Sequence, residues 1–106
     1  MPKLILQNLF RKEVLVAPGQ KVLAAIGAAG IDWMHACGGK GRCTTCRIIL
    51  LEGIESFGEL SPAEEKFRQQ GRLKANERLT CQCTLQANAR GRVPEQTKFP
   101  HQAYSE

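Results

Sequence analysis

The sequence predicts a small α+β domain built on one mixed sheet. Three observations carry this. Short apolar runs bounded by turn residues occur near both ends and in the middle of the chain. Two intervening stretches have helical spacing instead. The 106 residues are one domain by length, large enough for a single modest core.

The elements follow in order. Lys3 to Gln7 and Glu13 to Ala17 have strand character, and Asn8 to Lys12 between them is short enough for a hairpin. Pro18-Gly19 punctuates the chain. Gln20 to Ala29 places Val22, Leu23 and Ile26 at helical spacing, with Gly30 as its stop. Arg47 to Glu52 reads as a buried strand, and Gly53 to Leu60 as a loop. Ser61-Pro62-Ala63-Glu64 is a helix start in which Ser caps, Pro takes the first turn and Glu reaches back. That helix is expected to run to Gln70 and stop at Gly71. Leu79 to Gln86 reads as a last long strand with Cys81, Cys83 and Leu85 on one face. Arg90 to Val93 adds a short strand. From Pro94 the apolar period is lost, so residues 94–106 read as a tail, loose or pinned by Phe99 or Tyr104.

Bulk properties exclude several classes. No apolar run approaches the roughly 20 residues a membrane span needs. The first residues, Met-Pro-Lys-Leu-Ile-Leu-Gln, hold too short an apolar stretch for a signal peptide. A cytoplasmic location is expected, or an organelle lumen after removal of a presequence. Five cysteines are an odd number, and the cytoplasm keeps thiols reduced, so a disulfide framework is not expected. The formal charge of +5 points to a protein partner with an acidic docking face. Nucleic acid is not expected, because the basic residues are scattered and the aromatics form no stacking pattern.

The cysteines carry the chemistry. Cys37-Gly-Gly-Lys-Gly-Arg-Cys43-Thr-Thr-Cys46 packs three into one glycine-rich loop, and Cys81 follows after 34 intervening residues. Three thiolates from a loop and one from a distant strand suit a [2Fe–2S] cluster, whose two irons need four such ligands. Gly38, Gly39 and Gly41 let the backbone curl so that N–H groups point at sulfur. Thr44 and Thr45 add hydroxyl donors. Lys40, Arg42 and Arg47 put positive charge nearby. Cys83 would share a strand face with Cys81, so spacing alone leaves either as the fourth ligand. A four-thiolate zinc site is the rival reading, although zinc ribbons usually carry two Cys-x-x-Cys pairs and this chain has one. A thioredoxin-like Cys-Thr-Thr-Cys would need a helix after it, whereas Arg47-Ile-Ile-Leu-Leu is strand-like.

Cys-x5-Cys-x2-Cys followed by Arg-Leu-x-Cys-Gln resembles the [2Fe–2S] ferredoxins of the plant and vertebrate superfamily. The five-residue first gap is that of the adrenodoxin-like and related bacterial branch; the plant type has four. The similarity runs from about Lys3 to Val93, which makes residues 1–93 the ferredoxin domain. The resemblance implies a β-grasp fold with the cluster near the surface under the loop. It implies that the ligands are Cys37, Cys43, Cys46 and, as the cysteine before Gln82, Cys81. It also implies a one-electron carrier between a reductase and an acceptor, not an enzyme. One departure concerns docking. The helix that is acidic in adrenodoxin-like proteins here carries Glu64 and Glu65 but also Lys66 and Arg68, with Arg72 and Lys74 after it. An acidic partner facing Lys40, Arg42, Lys66 and Arg68 is therefore expected, with a monomeric carrier.

The remaining candidates read as structural. His35 lies before Cys37 in the wrong order for a Rieske ligand. Trp33 reads as a packing residue under the loop rather than an electron relay. Glu52, Glu55, Glu64 and Glu65 read as solvated surface, with no nucleophile or phosphate loop beside them. Two other functions stay open: a redox-sensing or regulatory [2Fe–2S] protein, and a colourless zinc-stabilised interaction module.

Overall fold

The computed structural model describes residues 2–31, 33, 46–94, 97–99 and 104. The elements are β1 (Lys3–Leu6), β2 (Lys12–Leu15), α1 (Val22–Ala28), β3 (Arg47–Glu52), a 3-10 turn (Ile54–Ser56), α2 (Pro62–Gln69), β4 (Glu77–Leu79) and β5 (Ala89–Arg92). The strands form one mixed sheet in the order β2-β1-β5-β3-β4. β1 pairs antiparallel with β2 and parallel with β5, while β3 pairs antiparallel with β5 and β4.

Alternation decides which side chains enter the core. Leu4 and Leu6 of β1, Val14 of β2, and Ile48 and Leu50 of β3 point inward. They join Val22, Ala25 and Ile26 of α1 and Phe67 of α2 in one cluster. The expected hairpin is present, with Lys3 opposite Leu15 and Leu4 opposite Val14. Its turn puts Phe10 and Arg11 at φ of 56° and 55°, a left-handed pair without glycine.

The helices start and stop where local chemistry directs. Ser61 Oγ accepts from Glu64 N at 3.2 Å, and Glu64 Oε1 accepts from Ser61 N at 3.0 Å. This is the capping box expected from Ser-Pro-Ala-Glu. Gly30 and Gly71, at φ of 78° and 73°, end the two helices. α1 begins two residues later than its spacing suggests, because Lys21 is extended and bridges Thr84.

Two strand expectations change. Arg90 to Val93 reads as a minor addition, yet β5 lies at the centre of the sheet between β1 and β3. Gly91 permits this: a Cβ there would lie 2.7 Å from Ile48 Cδ1 and 3.0 Å from the Ile49 carbonyl oxygen. The long strand from Leu79 to Gln86 does not form. β4 ends at Leu79, and the chain turns, with Gln82 N and Cys83 N both donating to the Leu79 carbonyl. Beyond β5, Asn8 holds Val93 through both backbone groups, at 2.9 and 2.8 Å. Tyr104 packs on the core and accepts from Phe99 N at 3.0 Å.

Candidate metal centre

Two of the sequence-predicted thiols meet in the structure. Cys46 immediately precedes β3 and Cys81 lies in the turn after β4. The β3–β4 register pairs Arg47 with Leu79, so the residues flanking that pair are carried together. Cys46 Sγ and Cys81 Sγ lie 3.4 Å apart. Both side chains are buried.

The turn bearing Cys81 is held from several sides. Leu23 N and Val22 N, at the start of α1, donate to the carbonyls of Thr80 and Cys83 at 2.8 and 3.0 Å. Lys21 Nζ donates to the Gln82 carbonyl at 3.1 Å, and Gln82 Nε2 approaches Cys81 Sγ at 3.6 Å. Two of the first-turn N–H groups of α1, those of Val22 and Leu23, are thus satisfied by the turn that bears Cys81. On the other side, the Cys46 carbonyl accepts from Trp33 Nε1 at 3.0 Å and from Thr80 Oγ1 at 2.8 Å.

The sulfur pair fits a shared metal. Two thiolates on one tetrahedral ion, each at about 2.3 Å, stand about 3.8 Å apart, close to the spacing here. The hydrogen bond to the Cys81 thiol, together with burial, pushes the Cys46 thiol far above its ordinary pKa. Such a pair loses its protons when a cation arrives to replace them. Among the described residues no cluster of three or more metal-ligating side chains forms. Cys37, Cys43, Gly38, Gly39, Gly41, Thr44, Thr45, Lys40, Arg42 and His35 lie outside the described residues.

Cys83 has a different environment from Cys81. It is 1% exposed, and burial pushes its thiol up to about 12. The expectation that it shares a strand face with Cys81 fails because the chain turns between Leu79 and Cys83.

Three polar residues depart from their sequence reading. Glu64 is not solvated surface: it is 0% exposed. Its Oε2 accepts from Arg78 Nε at 2.7 Å and from Leu79 N at 3.0 Å, and its Oε1 from Arg78 Nη2 at 3.1 Å. Burial pushes the Glu64 carboxyl up, but hydrogen bonds from Arg78, Ser61 and Leu79 outweigh it and hold the pKa below the ordinary value. Arg68 turns back to the carbonyls of Ala75 and Glu77, each at 3.2 Å, which leaves exposed Lys66 as the open cation of α2 in the expected docking set. Arg47 is paired with Glu77 at 3.3 Å, so its charge is partly neutralised. Arg78 and Thr80, within Arg-Leu-Thr-Cys, carried a signal in the sequence: a charged and a hydroxyl side chain in a stretch that reads as a core strand need partners.

The family model described as "2Fe-2S iron-sulfur cluster binding domain" matches residues 7–86. A 2Fe-2S ferredoxin of Haemophilus influenzae is 39% identical over 70 residues, which are 65% of this chain and 62% of that one. A subunit of the Na(+)-translocating NADH-quinone reductase of Pseudomonas aeruginosa is 35% identical over 81 residues, 76% of this chain and 19% of that polypeptide. The matched stretch therefore spans less than two thirds of either relative. Among solved structures, the ISC-like [2Fe-2S] ferredoxin of Pseudomonas putida JCM 20004 superposes with a TM-score of 0.74 at 28% identity, covering 97% of this chain and all of that one. The sulfur spacing alone suits zinc as well as iron, and the family match decides between them in favour of iron and sulfide. With a β-grasp sheet and two buried thiols brought together at its edge, the chain belongs to the family of 2Fe-2S iron-sulfur cluster binding domains.

Proposed function

We propose that this protein is a one-electron carrier whose [2Fe–2S] cluster is held by Cys37, Cys43, Cys46 and Cys81. The carrying observation is the 3.4 Å approach of Cys46 Sγ to Cys81 Sγ. That spacing supports the reading in which these two thiolates would share one iron and Cys37 and Cys43 would hold the other. The cluster supplies a site that gains and loses a single electron. The protein's own groups hold it, exclude water from two of the sulfurs and set the local field. Gly38, Gly39, Gly41, Thr44 and Thr45 contribute N–H and O–H donors to that field.

The carrier works between a reductase and an acceptor in the reducing cytoplasm, as a monomer, with no substrate chemistry of its own. The likeness to part of a reductase polypeptide supports a redox-protein partner. Lys40, Arg42 and Lys66 face acidic groups on it. The cluster domain spans residues 1–93, and residues 94–106 are its tail.

The test is an optical spectrum followed by EPR after dithionite reduction. Visible charge-transfer bands that bleach, with a signal of one spin per protein, support the carrier. A colourless, zinc-loaded protein overturns it. For docking, reduction rates that rise with added salt remove the acidic partner, because screening weakens attraction.

A further inference from the structure

We propose that Trp33 and Thr80 are positioning residues that staple the base of the cysteine loop by gripping the Cys46 carbonyl. The inference rests on Cys46 being a cluster ligand, as argued above. Three donors converge on that one oxygen: Trp33 Nε1 at 3.0 Å, Thr80 Oγ1 at 2.8 Å and Thr80 N at 3.3 Å. Trp33 is 5% exposed and Thr80 0%, so all three bonds form away from water, where they are strongest.

The positions of these donors give the grip its purpose. Residues 34–45 lie between Trp33 and Cys46, and they carry Cys37 and Cys43. The Trp33–Cys46 bond therefore ties the two ends of the cysteine-bearing segment. Fixing the ends of such a segment removes the closure entropy that cluster assembly would otherwise overcome. Thr80 directly precedes Cys81, so the same oxygen also ties the loop base to the fourth ligand. An indole N–H donates and never accepts, which suits it to a carbonyl. A large apolar side chain would fill the space without making the tie.

The three dipoles have a second effect. Their positive ends gather at the peptide of a ligand cysteine, where they favour added negative charge. Removing one lowers the reduction potential. A side chain that merely packed would change stability and leave the potential unmoved.

The experiment compares four versions of the cluster-loaded protein. They are the parent, a form in which the single tryptophan is replaced by benzothienylalanine (sulfur in place of the indole N–H), Thr80→Val and Thr80→Ser. Two quantities are read: the rate of loss of visible absorbance in excess iron chelator, and the midpoint potential. Benzothienylalanine and Thr80→Val are expected to lose the cluster about 10-fold faster and to shift the potential downward. Thr80→Ser, which keeps the hydroxyl, is expected to restore both. Parent-like rate and potential in the benzothienylalanine form overturn the role of Trp33. Equal behaviour of Thr80→Val and Thr80→Ser overturns that of Thr80. Cys46→Ser and Cys81→Ser are run beside them. If these keep the parent spectrum, the ligand assignment itself has failed and the staple falls with it; if they lose it while the donor variants do not, the staple alone has failed.

Discussion

Arg78 grips Glu64 with two nitrogens, Nε at 2.7 Å from Oε2 and Nη2 at 3.1 Å from Oε1. The remaining reach of the guanidinium goes to the carbonyls of Gly58 and Glu59, at 2.7 and 3.1 Å. One pair thus joins the first turn of α2, the loop before it and β4. Since Cys81 follows β4 by two residues, the pair also fixes the approach to Cys81.

Removing one partner of this pair leaves a buried charge without compensation, which typically costs about 3–5 kcal/mol. Glu64→Ala and Arg78→Ala are each expected to destabilise the protein by about that much. Denaturant unfolding of the holoprotein measures it. A loss within about 0.5 kcal/mol, as for an exposed pair, would show that water reaches the site.

The same carboxylate gives stability a pH dependence. The Glu64 pKa is held below its unfolded value, so the folded state binds this proton less readily than the unfolded chain does. The contribution is fully present above the ordinary carboxylate pKa. It is lost as pH falls from there through the depressed folded value. Glu64→Gln removes this slope. The stability gap between parent and Glu64→Gln is expected to narrow as pH falls from about 6 to about 3, and parallel curves would contradict it.

Cys83 and Cys81 are expected to separate cleanly in spectra. Cys83→Ala keeps the cluster absorbance and costs about 1 kcal/mol of stability. Cys81→Ser loses or alters the absorbance. With its thiol pushed up to about 12 by burial, Cys83 resists iodoacetamide at pH 8 until the protein unfolds, because the thiolate is the reacting form. Labelling of Cys83 in the folded holoprotein would count against this.

The β1–β2 turn holds Phe10 and Arg11 in the left-handed region, where a Cβ costs roughly 1–2 kcal/mol per residue. Arg11 is exposed. Arg11→Gly is expected to raise stability by about 1 kcal/mol, read as a higher thermal midpoint with an unchanged visible spectrum. A lower midpoint would mean that the arginine side chain contributes more than its backbone strain costs.

Local chemistry made much of this protein legible in its sequence. The capping box of α2 and the helix stops at Gly30 and Gly71 depend on neighbours a few residues away, and each stands where the sequence places it; β3 also keeps its expected extent, Arg47–Glu52, because its own unbroken apolar run marks it. The cysteine spacing pointed to the cluster for a similar reason: thiolates in a tight glycine-rich loop serve few other purposes. Tertiary structure decided the rest. Alternation from Leu79 to Gln86 reads as one strand, but the N–H groups of α1 and the Cys46 carbonyl, which accepts from Thr80, capture that stretch and turn it. Glu64 reads as one of several surface acids until folding sets Arg78 against it. β5 is weak as a sequence signal, yet the small volume of Gly91 admits it to the middle of the sheet. In each of these cases the deciding partner lies far along the chain, where no local pattern reports it.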